Sequence, residues 1–124
     1  MMNETPSPRP LSQAGEEDKT RLLPPAGEER VEKFRATLVG SEPPAGASLA
    51  LQTLWWEAKG DWQKAHACAQ KDEGLTGSIV HAYLHRKEGD LSNARYWYNR
   101  AGRPPVEGPF EDEWTALAAE LLSA

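Results

Sequence analysis

A chain of 124 residues supports one small domain, and its formal net charge of −5 excludes a dominant nucleic-acid footprint, which would need a basic face to displace counterions from phosphates. Cys68 is the only cysteine, so an intramolecular disulfide and a cysteine-rich zinc site are excluded. The amino terminus lacks the apolar run of a signal peptide, and no run approaches the roughly 20 apolar residues of a membrane span, so a cytoplasmic protein without a membrane partner is expected.

Residues 1–25 mix Pro6, Pro8, Pro10, Pro24 and Pro25 with polar and charged side chains, a composition that buries too little apolar surface to offset the entropy of ordering. They predict a disordered tail, leaving residues 26–124 as a single helical domain. The stretch GEERVEKFRATLVG then places Val31, Phe34 and Leu38 at helical spacing behind an acidic start, and Gly40 stops it. After the break SEPPAGA, a second helix carries Leu51, Leu54, Trp55 and Ala58 on one stripe and ends at Gly60.

From here the chain repeats with an offset of 29 residues: Gly60-Asp61 aligns with Gly89-Asp90, Trp62 with Leu91, and Ala65 with Ala94. Each unit reads as helix, Gly-Asp turn, helix, because glycine takes the left-handed conformation that closes one helix while aspartate caps the next. The hairpins span about residues 48–73 and 77–103. In the second, Leu91, Ala94, Trp97, Tyr98 and Ala101 share a face, with Tyr96 pointing away. Residues 109–123 start with Pro109 and acids and carry Trp114, Leu117, Ala118 and Leu121 on one stripe, which predicts a helix capping the open end of the stack.

A Gly-Asp turn followed by an apolar residue, an alanine, an aromatic four residues later, another alanine and a proline resembles the tetratricopeptide repeat. Ala82, Gly89, Asp90, Leu91, Ala94, Tyr98, Ala101 and Pro104 carry the resemblance in the second unit, and Gly60, Asp61, Trp62 and Ala65 in the first. The offset is shorter than the usual repeat of about 34, and Ala69 stands where an aromatic is usual. The string HAYLHRKEGDL-x-NARYWY is also similar to one in bacterial proteins of tetratricopeptide-like fold, a similarity that brings no activity with it. The resemblance implies an all-α fold, a short tetratricopeptide-like superhelix of about six helices with a C-terminal capping helix. It also implies a concave groove formed by the first helix of each hairpin.

On that register Leu54, Trp56, Glu57, Ile79, Tyr83, Arg86 and Lys87 fall toward the groove, and the first functional expectation is a non-enzymatic module that holds a peptide or protein partner there. Arg86, Lys87, Arg95, Arg100 and Arg103 give the second hairpin a local positive balance suited to an anion. His81 and His85 are four apart on one helix, and partly buried packing is their expected role. The alternative is a metal-binding protein or metal-dependent enzyme in which His66 and Glu57 complete the ligand set. Asp61 and Asp90 are committed as caps. No zincin motif, glycine-rich phosphate loop or G-x-S-x-G elbow is present, and Cys68 and His66 point to different faces, so no catalytic set and no cofactor are assigned.

Overall fold

The computed structural model describes residues 26–123; the expected N-terminal tail, residues 1–25, lies outside them. Within that span the chain is all-helical: α1 (Ala26–Ala36), continued by one 3₁₀ turn (Thr37–Val39), α2 (Leu49–Ala58), α3 (Trp62–Lys71), α4 (Leu75–Glu88), α5 (Leu91–Ala101) and α6 (Phe110–Leu122). No helix among them is long and apolar enough to cross a membrane.

Two helical hairpins, α2 with α3 and α4 with α5, make the most extensive packing, and α4 also contacts α2 and α3. Their turns are built alike. Gly60 and Gly89 sit at φ +86° and +90°, and the following aspartates accept from the backbone N–H three residues on, Asp61 from Lys64 at 3.0 Å and Asp90 from Asn93 at 3.3 Å. Ala65 and Ala94, both buried, let the helices of each pair approach closely. Leu91 departs from its expected face and is 56 % exposed, because it opens α5 where the helix leaves the core.

The stripe Trp114, Leu117, Ala118 and Leu121 is buried, but its target is not an open end of the stack. Helix α6 packs on α1 and lies across α2 and α4, the first helices of the two hairpins. Trp114 stacks on Phe34 of α1 and donates its indole N–H to the Leu54 carbonyl of α2 at 3.0 Å. Leu54, Ile79 and Tyr83 of the expected groove are therefore core, while Trp56, Glu57 and Arg86 are half-buried and Lys87 is exposed; α4 is buried from Gly77 to His85. A helix enclosed on every side has two faces on which buried polar groups need partners.

Candidate metal centre

One face of α4 carries Gly77, His81 and His85, successive positions one helical turn apart. It meets α3 and α5. Gly77 is what allows the approach: a methyl group there would overlap the carbonyl of Asp72, the residue that ends α3, so the first turn of α4 lies directly on the loop between the helices. The close junction sets His66 of α3 against the histidines of α4.

His66 and His81 face each other with Nε2 atoms 3.0 Å apart. One ring nitrogen of each of His66, His81 and His85 lies within 4.8 Å of the others. An ion with metal–nitrogen bonds of about 2.0–2.1 Å holds tetrahedral ligands about 3.3 Å apart, so the first pair is already near that spacing. His85 donates from Nδ1 to Glu88 Oε1 at 2.9 Å, which leaves Nε2 as its free nitrogen, the arrangement by which a carboxylate orients a ligating imidazole.

His81 and His85 are 4 % and 6 % exposed, and His66 is half-buried. Burial, reinforced by the neighbouring His66 and His85, holds the His81 imidazole down at a pKa of about 4. His66 is lowered too, mainly by burial and then by His85, against a smaller opposing effect of Glu88. Both are thus neutral at pH 7, the form that offers a lone pair to a metal.

Aromatic rings fix the imidazole planes. Trp97 stacks on His81 at 3.9 Å between ring centroids with 5° between planes, and Trp62 stacks on His66 at 4.6 Å with 12°. The cluster opens into a cleft of about 800 Å³ whose lining includes Trp62, His66, His81, His85, Asn93 and Trp97. Trp62 Nε1 is the single buried side-chain polar atom among the described residues that has no hydrogen-bond partner.

Of the residues assigned to a groove, Ile79, Tyr83, Arg86 and Lys87 lie on α4 and Leu54, Trp56 and Glu57 on α2. Leu54, Ile79 and Tyr83 are fully buried beneath α6, and a peptide would have to displace that helix to reach them. Arg86 pairs with the buried Glu113 of α6 at 2.9 Å, donates to the Gly108 carbonyl and lies over the Phe110 ring. Tyr98 donates to the other oxygen of Glu113 at 2.6 Å. Glu57 accepts from Tyr83 at 3.2 Å and pairs with Lys87, which removes it from the histidine cluster as a ligand. Burial first, then the adjacent carboxylates Glu57 and Glu113, raises the Tyr83 and Tyr98 hydroxyls, which stay protonated donors.

The remaining candidates scatter. Trp56 is half-buried, edge-on to Trp55 and covered by the Lys64 ammonium at 4.2 Å. Of the expected anion zone, Arg103 pairs with Glu120 and Arg100 donates to the Tyr96 hydroxyl, while Arg86 and Lys87 are engaged as above. Burial raises the Cys68 thiol, whose sulfur lies 3.9 Å from the Gln52 side chain, away from a reactive thiolate. The sequence shows Trp97 as an apolar position on a helical stripe and Trp62 as one of a cluster at the first turn, since one-dimensional spacing does not reveal which imidazole each ring stacks on. No protein-family model, curated protein or solved structure matches the chain.

Proposed function

We propose that this protein is a metal-binding protein whose centre is the triad His66, His81 and His85 on its helical scaffold. The observation that carries the reading is the convergence of three imidazole nitrogens within 4.8 Å of one another, at the floor of an open cleft. Burial lowers the basicity of both His66 and His81 and leaves them one N···N hydrogen bond at 3.0 Å, whereas a cation shared with His85 would use a lone pair of each ring. Glu88 supports the reading further, because its bond to His85 Nδ1 leaves Nε2 for ligation. Neutral nitrogen donors suit zinc, copper or nickel over magnesium or calcium, which prefer oxygen.

The first expectation, a peptide or protein partner in a tetratricopeptide-like groove, has weaker support, because Leu54, Ile79 and Tyr83 are buried where α6 lies across α2 and α4. The deciding experiment is metal analysis and zinc titration of the full chain purified without an affinity tag. One equivalent of divalent metal is expected, with binding lost in His81→Gln and His85→Gln. Absence of saturable binding, or binding indifferent to both substitutions, would overturn the reading.

A further inference from the structure

Resting on the metal reading, we infer that Trp97 and Trp62 are positioning residues of the histidine centre, acting through His81 and His66 to favour a divalent ion over a monovalent one. The Trp97 and His81 rings lie 3.9 Å apart between centroids with 5° between planes, closer than the roughly 4.5–7 Å usual for pairs of aromatic side chains. So short a parallel contact leaves little sideways offset. Two electron-rich faces in that overlap repel, which is why aromatic pairs ordinarily slide past one another or turn edge to face. Trp62 repeats the arrangement on His66 at 4.6 Å and 12°.

What turns the overlap into an attraction is a loss of electron density from the imidazole. A ligating nitrogen shares its lone pair with the ion, so its ring takes on part of the positive charge, and the indole is the side-chain face that attracts positive charge most strongly. A divalent ion draws more density than a monovalent one, and the stack tightens accordingly. Both indoles are half-buried and line the cleft, Trp62 from α3 and Trp97 from α5, where partial exclusion of water strengthens the effect.

The third imidazole is held differently. His85 meets Trp62 edge-on, at 5.9 Å and 68°, and its Nδ1 is bonded to Glu88. The Arg100 guanidinium, 5.5 Å from the Trp97 ring, also lines the cleft, but it is exposed, so water screens its repulsion of an ion, and Asp72 and Glu73 on the same cleft offset its charge.

Zinc and silver(I) titrations separate charge from shape, with the full chain carrying Cys68→Ser as parent so that the only thiol does not capture silver. Trp97→Leu should weaken zinc about tenfold and silver no more than about twofold, while Trp97→Phe, which keeps an aromatic face, should hold zinc to within about threefold of the parent. A fluorinated tryptophan at position 97 keeps the outline of the ring and drains its face, so it decides the matter even where leucine unfolds the chain. Zinc should again weaken more than silver. Equal losses for the two ions, a phenylalanine variant no better than leucine, or fluorination without effect overturns the role of the indoles and leaves the metal reading standing. Failure of the parent chain to bind zinc overturns the metal reading and this inference together.

Discussion

The two faces of α4 bury polar groups in opposite ways. Toward α6, every ionic group has a partner of complementary kind: Glu113 takes both Arg86 and Tyr98, and Glu57 takes both Tyr83 and Lys87. Toward α3 and α5, three like groups face one another, and their only carboxylate contact is Glu88 on His85. A network closed on itself holds helices together, and nothing can be added to it. Three imidazoles joined by one N···N hydrogen bond keep ring nitrogens that a cation could still take up, as the metal reading proposes. Burial by itself does not separate the two, since Tyr83, His81 and His85 are all nearly inaccessible; the chemistry of the partner does.

The largest expected effect breaks the closed face. Glu113→Ala leaves the Arg86 guanidinium and the Tyr98 hydroxyl buried without their acceptor, and urea unfolding should lose about 3–5 kcal/mol, with zinc stoichiometry unchanged in protein that remains folded. A loss under about 1 kcal/mol would mean that α6 is not fastened by this carboxylate.

Acid should act on the other face. The unfolded chain protonates His81 near pH 6.5 and the folded chain only near pH 4, so between these values the unfolded state binds the extra proton. Stability due to this group is fully present above pH 6.5 and declines as pH falls through 4, by an amount on the order of 3 kcal/mol. Urea midpoints for chelator-treated protein at both ends of that window measure it, and subtracting the His81→Gln profile isolates it from carboxylate titration. Identical slopes in the two proteins would refute the assignment.

Zinc offers a sharper contrast of slightly smaller size. At a free concentration of one hundred times its dissociation constant, it should stabilise the native protein by about 2.7 kcal/mol and do nothing for His85→Ala, while raising Glu113→Ala by the same increment. Unequal increments in native protein and Glu113→Ala would show that the faces communicate through α4.

Asp90 sharpens the boundary between them, since it lies near His85 and Glu88 yet serves α5 as its cap. Asp90→Ala should cost about 1 kcal/mol in urea and leave zinc affinity unchanged. A weakened affinity would make this carboxylate part of the centre.

Much of the scaffold was readable from the chain because its signals are local. Gly60-Asp61 and Gly89-Asp90 announce their turns chemically, and the Trp114, Leu117 and Leu121 stripe announces a buried helix. What the stripe lies against is a tertiary fact: residues 109–123 would show the same periodicity over an end of the stack as across α2 and α4. Glu113 was hidden for a related reason, since an acid in the first turn of a helix is favourable at its N-terminus whether or not it reaches a partner. His81 and His85 were visible as a pair through their four-residue spacing. His66, across a loop, was a candidate only by its type, and Glu57 was an equally good candidate until the fold put it on the far side of α4.

The contact between Gly77 and Asp72 gives the histidine cluster a vulnerability that lies outside its own side chains. A single-methyl change, Gly77→Ala, forces α4 off the end of α3 and so changes the distance from His66 to His81, although all three histidines of the proposed centre are retained in the sequence. A residue with no donor atom in its side chain would then decide whether the three imidazoles meet, so the proposed centre could be lost with every histidine retained.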